Sequence, residues 1–271
     1  MHQPLITLIK KRLFWIALLF LVWLFCSGQA RSGALAERLG NFPNWTDKPL
    51  VQTAVRDLVY PTWMSGVWSM TTTLVDMAAP LAPDMMTPGF EGDRQFLNQP
   101  VACLVRFVPA QPLVPSNRLV PTAVRQSSQI VSDRAFNGLN LARAYLGEAG
   151  VKAVKVDPNN PNRQITFLQS DRQLVSTVTG RATETPDEEE FVTTEVFQQL
   201  FRGRRPTLYL NEVETTTRYR RLDSSSLSFD ADQTTAIYLS PQDPDYFRAL
   251  NKPAALYRYH LEFSPVDSAA Q

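Results

Sequence analysis

From Gly66 onward hydrophobic and polar positions alternate. Trp68, Met70, Thr72 and Leu74 fall on one side of an extended backbone, and Ser69, Thr71, Thr73 and Val75 on the other. A period of two with β-branched residues predicts a strand running to about residue 77. The pattern returns at 101–108, where Val101, Cys103, Val105 and Phe107 share a face, and at 151–157, 164–169 and 173–183. Pro158-Asn159-Asn160-Pro161-Asn162 links two of these runs as a hairpin turn. The longest strand is expected over 207–221, with shorter ones at 234–239 and 256–263, and 191–201 reads as a short helix or an irregular strand. One segment has helical spacing: Asp133 caps it, Phe136, Leu139, Leu141, Ala142 and Leu146 form its apolar side, and Gly147 and Gly150 end it. Strands with one apolar and one polar face, joined by short turns, form antiparallel sheets rather than βαβ units. Closing such a sheet removes its edges. The expected fold is mainly β, an antiparallel β-barrel of about 8–10 strands with one medium helix, and an interior that accommodates one small ligand.

The N-terminus follows a different rule. Lys10-Lys11-Arg12 precedes the apolar run at 13–25, and Gly28-Gln29-Ala30 fits a small-x-small cleavage site. The run is short for a hydrocarbon core of about 30 Å, which needs roughly 20 residues. Export with cleavage is the expectation, and an uncleaved membrane anchor is the alternative. The expected organisation is a signal peptide over 1–30, an N-terminal arm over 31–60 pinned by Phe42, Trp45 and Val55, a β-barrel domain over 61–265, and a flexible tail over 266–271. A Pro-rich insertion at 79–121 holds eight of the 20 prolines.

Composition narrows the chemistry. The chain of 271 residues carries 27 Lys+Arg against 26 Asp+Glu, so there is no basic excess for nucleic acid. Loss of residues 1–30 would remove three basic and no acidic residues, together with His2 and Cys26, leaving His260 and Cys103 as the sole histidine and cysteine. An intramolecular disulfide is then impossible, and a His/Cys metal site lacks ligands. No Walker loop, G-x-S-x-G, G-x-G-x-x-G, C-x-x-C or H-E-x-x-H is present. The expectation is a non-enzymatic binding or assembly protein without a cofactor or metal.

Candidate ligand contacts follow from strand faces. Tyr257, Tyr259, Leu261 and Phe263 share one side of the last strand, either lining a pocket or filling a core. Arg258, His260 and Glu262 share the other, as an ordinary surface trio. Tyr209, Asn211, Val213, Thr215, Thr217 and Tyr219 share a face of the longest strand. Either waters or a ligand meet Asn211 and Thr215, or that face is outside, because an unpaired buried polar group costs about 1–3 kcal/mol. Trp68, Met70, Cys103 and Phe107 join Tyr209, Asn211, Tyr219, Tyr257 and Tyr259 as candidate ligand contacts. Cys103 reads as a buried, unreactive thiol.

Trp63-Met64-Ser65-Gly66-Val67-Trp68 resembles the G-x-W entry of lipocalin and calycin barrels. That resemblance implies that Gly66 joins a short helical turn to the first strand and that Trp68 closes the barrel floor. It also implies an arginine stacked on Trp68, with Arg258 the candidate and Arg220 its rival. The Pro-rich insertion and the lack of disulfides depart from secreted lipocalins. Asp57-Leu58-Val59-Tyr60-Pro61, Thr87-Pro88-Gly89-Phe90-Glu91-Gly92 and Leu97-Asn98-Gln99-Pro100 look like an uncharacterised family of cyanobacteria and chloroplasts, over about residues 35–265. That likeness implies a photosynthetic host and a periplasmic or thylakoid-lumen address. The functional expectation is an exported lipocalin-like barrel binding a small apolar or amphipathic ligand of the lipid, carotenoid, quinone or tetrapyrrole class. The alternative is an accessory or assembly factor of a thylakoid membrane-protein complex that uses residues 79–121 as its contact.

Overall fold

The computed structural model describes residues 33–110, 128–203, 208–223 and 227–266. The expected signal peptide, and nearly all of the expected C-terminal tail, lie outside the described residues. Twelve strands are hydrogen-bonded into one antiparallel sheet among the described residues. They are β1 (Gln52–Thr53), β2 (Val59–Tyr60), β3 (Gly66–Ala78), β4 (Pro100–Pro109), β5 (Ile130–Ser132), β6 (Val151–Asp157), β7 (Asn160–Leu168), β8 (Gln173–Glu184), β9 (Glu190–Arg202), β10 (Tyr209–Arg221), β11 (Phe229–Leu239) and β12 (Ala255–Pro265). The order across the sheet is β2-β5-β4-β3-β12-β11-β10-β9-β8-β7-β6, with β1 added beside β8. Four α-helical segments accompany it: α1 (Ala34–Gly40), α2 (Phe90–Asp93), α3 (Arg134–Leu146) and α4 (Tyr246–Ala249). The sheet curls into a half-barrel.

The segment at 191–201 is part of β9, a regular strand and neither a helix nor irregular. Phe191, Val192, Thr193 and Thr194 are all buried, so both faces are covered and the alternation that marks a half-buried strand is lost. The strand count exceeds 8–10 because β1, β2 and β5 are only two or three residues long.

Two elements span the gap between the sheet's ends. The chain from β1 to β2 runs from the free side of β8, where Gln52 pairs with Arg181, to β5, where Val59 pairs with Val131. Helix α3 packs between β4 on one side and β6 and β7 on the other. Asp133 Oδ1 accepts from the Phe136 amide at 3.0 Å and caps the helix, and Gly147 ends it at φ 76°. Asn137 then fastens it to β4, accepting from the Arg106 amide at 2.7 Å and donating to the Arg106 carbonyl at 3.0 Å. The cap and the stop match the sequence reading, and the inward face matches in part. Arg134, Asn137, Gly138, Leu141 and Tyr145 line the first cavity and Leu146 the second, while Phe136, Leu139 and Ala142 of the expected apolar side are in neither lining.

Residues from Ala34 onward belong to one compact unit. Helix α1 lies on the outer face of β9, β10 and β11, with Leu35 and Ala36 packed on Val192. Its Arg38 reaches Glu214 at 2.7 and 2.8 Å, while Tyr238 donates to the same carboxylate at 2.8 Å. Glu214 has no solvent exposure, and a fully buried carboxylate is tolerable only when paired and hydrogen-bonded. Trp45 is buried beneath Arg38, with the guanidinium 4.1 Å from its ring centroid. Phe42 packs alongside, whereas Val55 is 77% exposed and pins nothing.

Candidate functional site

One end of the half-barrel is sealed by rings. Gly66 at φ 134° turns the short helical segment Thr62–Met64 into β3, a backbone angle that favours glycine. The Trp68 indole donates to the Met64 carbonyl at 2.9 Å, and its ring meets Phe229 edge-on at 5.1 Å. Phe229 stacks on Phe263 at 4.1 Å, and Trp63 abuts Phe229 at 5.4 Å. Burying each such ring contributes about 1.5–3 kcal/mol, so this floor is a stable apolar plug. Among the described residues no arginine stacks on Trp68. Arg258 is exposed and pairs across the sheet with Asp76, near the far end of β3, while Trp68 pairs with Pro265. Arg220 is held by Asp230 at 2.9 Å and Asp232 at 3.2 Å. Both arginines occupy even positions of strands whose odd positions face inward, so neither reaches the floor.

Above the floor the interior is not filled. A cavity of about 390 Å³ is lined by Met70, Thr72, Phe107, Tyr219, Gln233 and Tyr259 from the sheet and by Asn137, Leu141 and Tyr145 from α3. A second cavity of about 440 Å³ lies nearer the other end, against Leu74, Tyr209, Asn211, Val213, Ile237 and Tyr257. The two share Tyr145, Thr235 and Tyr259. Each volume falls in the range of small-molecule sites, about 300–1,000 Å³.

Seven of the nine candidate contacts therefore line a cavity: Met70, Phe107 and Tyr219 the first, Tyr209, Asn211 and Tyr257 the second, and Tyr259 both. Trp68 belongs to the floor. Cys103 pairs with Met70 across β3 and β4 but packs at the edge of the core, outside either lining. The face of β10 that carries Asn211 and Thr215 is the inner one, which resolves that choice. His260 lies on the outer side, 3.4 Å from Asp232.

In the described part of the Pro-rich insertion, the residues ahead of β4 cover the second cavity, and 100–109 is β4 itself. Phe90 is buried against Tyr257, with ring centroids 5.7 Å apart. Thr87, Pro88, Asp93 and Phe96 line the second cavity, and Asp93 accepts from the Tyr257 hydroxyl at 2.9 Å. Burial, with Asp93 beside it, pushes the Tyr257 phenol well above its usual pKa. Burial does the same to Tyr60, Tyr219 and Tyr259, so these phenols stay neutral hydrogen-bonding groups across the ordinary pH range.

The sequence reading missed a charged clasp in the wall of the first cavity. Glu195, pointing inward from β9, accepts from Arg134 at 2.9 and 3.1 Å and from Arg181 at 2.6 Å. Arg181 also donates to Asn162 Oδ1 at 2.9 Å and to the Arg56 carbonyl, and Asn162 donates to the Ala54 carbonyl at 3.1 Å. Arg134 lies 3.8 Å from Asp57. Burial lifts the Asp57 carboxyl above its ordinary range, against the pull of both arginines. Two cations and two carboxylates thus balance where the 52–60 segment crosses the gap. The clasp bridges β8, β9, α3 and the 52–60 segment without leaving a net charge in the cavity wall.

Two polar atoms in the lining of the second cavity have no hydrogen-bond partner, Thr87 Oγ1 and Asn211 Oδ1. Asn211 is 6% exposed, and its Oδ1 has no hydrogen-bond partner. Its side chain also hydrogen-bonds the Tyr209 phenol, whose pKa burial raises against that bond. Among the described residues no group of three or more His, Cys, Asp or Glu side chains is placed to hold a metal ion, and no helix is long and apolar enough to cross a membrane.

Fold and site together define a mainly antiparallel β half-barrel curled around two adjoining cavities. Residues 52–267 match the family described as a domain of unknown function (DUF6816), and the chain belongs to that family. The match begins at β1, the strand that starts the closing segment. No curated protein and no solved structure matches the chain.

Proposed function

We propose that this protein is a lipocalin-like carrier that holds one small apolar or amphipathic molecule inside its half-barrel by non-covalent burial. The observation that carries this reading is the pair of adjoining cavities, lined by seven of the side chains that strand alternation alone assigned to a pocket. Apolar and aromatic walls supply the affinity, and a few phenols and amides orient the guest. The leader-like N-terminus and the sequence resemblance support export in a photosynthetic cell, to a periplasm or thylakoid lumen, and a ligand of the lipid, carotenoid, quinone or tetrapyrrole class. The accessory-factor alternative loses part of its basis, because Phe90 and its neighbours in the 79–99 segment are spent on covering the second cavity.

The test is native mass spectrometry, with a visible spectrum, of the full chain purified from the host that makes it. A stoichiometric adduct released by organic solvent is expected. A bare polypeptide mass, both as purified and after incubation with a total lipid and pigment extract, would overturn the reading.

A further inference from the structure

Resting on that reading, we infer that the guest is an uncharged molecule whose polar end is a hydrogen-bond donor, a hydroxyl or N–H group, seated in the second cavity against Asn211 Oδ1. The inference begins with what the interior lacks. The cationic side chain lining the first cavity, Arg134, is already committed to Glu195 and Asp57. The second cavity has no cationic lining residue, and its one charged group is Asp93. A carboxylate or phosphate headgroup entering either chamber would give up its water without gaining a counter-ion, a loss that excludes anions from low-dielectric sites. In the second chamber it would also face the Asp93 carboxylate.

The unmatched acceptor completes the argument. Asn211 Oδ1 is buried with no partner, and the side chain's contact with the Tyr209 phenol leaves that oxygen unmatched. An acceptor is satisfied by a donor, and Thr87 Oγ1 in the same lining also lacks a partner. An ester or ether oxygen can accept from Thr87 but leaves Asn211 Oδ1 unpaired, whereas a hydroxyl serves both. The shared wall of Tyr145, Thr235 and Tyr259 lets the apolar remainder extend from the second chamber toward Met70, Phe107 and Leu261 in the first. The ligand class is therefore a neutral amphiphile with an alcohol or N–H head and an apolar tail.

The experiment compares decanol, decanoate and methyl decanoate by isothermal titration calorimetry on the full chain at neutral pH. One tail then carries a donor, an anion or an acceptor alone. Decanol is expected to bind about tenfold more tightly than the ester, and decanoate more weakly than either. In Asn211→Leu, checked for an unchanged circular dichroism spectrum, the alcohol should lose its advantage over the ester while ester binding persists. Decanoate or ester binding as tightly as decanol to the unaltered protein would overturn the inference and leave the carrier reading standing. Failure of all three to bind would overturn the inference, with the carrier reading decided separately by the native mass of the host-purified protein.

Discussion

Cys103 stands on the inner side of β4, opposite Met70 and beside the first cavity's wall. Burial pushes its thiol from an ordinary value of 9.0 to about 11. At a given pH below both values the thiolate, which is the reactive form, is then about 100-fold scarcer than in the unfolded chain. Iodoacetamide labelling at about pH 8, followed by mass spectrometry, should be slower in the folded protein by roughly that factor. Equal rates in folded and urea-unfolded protein would show that the thiol is not sheltered. At this scale the sequence was informative wherever a residue's neighbours two positions away shared its environment. Tyr257, Tyr259, Asn211 and Tyr219 could be placed by alternation because their strands have distinct faces. Glu195 could not, since a lone carboxylate between valines and threonines looks like any other until Arg134 and Arg181 are brought to it from distant elements. Arg258 and Arg220 were assigned by resemblance, and strand parity puts both on the outside.

Among elements, the short ones decide whether the sheet becomes an enclosure. Strand β1 has two residues, yet it holds the start of the segment that crosses from β8 to β5. It seats there because Gly180 offers no side chain: a Cβ at that position would lie 2.5 Å from Val51 Cγ2. Gly180→Ala must therefore displace β1, and is expected to cost about 1–3 kcal/mol of stability by urea denaturation. Gly92→Ala serves as the control, because a Cβ there meets nothing within 4 Å, and it should stay within about 0.5 kcal/mol of the unaltered protein. Equal stability of the two variants would mean that β1 does not press on Gly180. A two-residue strand has no periodicity to read, so β1 and β2 left no signal in the sequence. Helix α3 left a clear one that gave its face in part. Its inner side meets partly polar cavities rather than a dry core, so Leu141 and Leu146 share it with Arg134, Asn137 and Tyr145.

For the whole molecule the question is how an open sheet of twelve strands comes to have an inside. The hydrophobic pattern conveyed antiparallel strands and, in β3, β10 and β12, which residues share a face, while leaving open which of those faces is the inner one. It did not convey the manner of closure, which depends on long-range pairings: an ion cluster linking residues 57, 134, 181 and 195, a helix bolted to β4 through Asn137, and a cover from 79–99. The outer strap through Arg38 and Glu214 holds the sheet's other side. These features leave the space between the Trp68–Phe229–Phe263 floor and the Phe90 cover unfilled by side chains. A crystal structure of the full chain purified from its host tests this most directly. The account predicts continuous density for an elongated molecule passing Tyr145, Thr235 and Tyr259, with its polar end at Asn211. Side chains collapsed into that space, with Asn211 Oδ1 bonded to a protein group and no room left between Met70 and Tyr259, would contradict it.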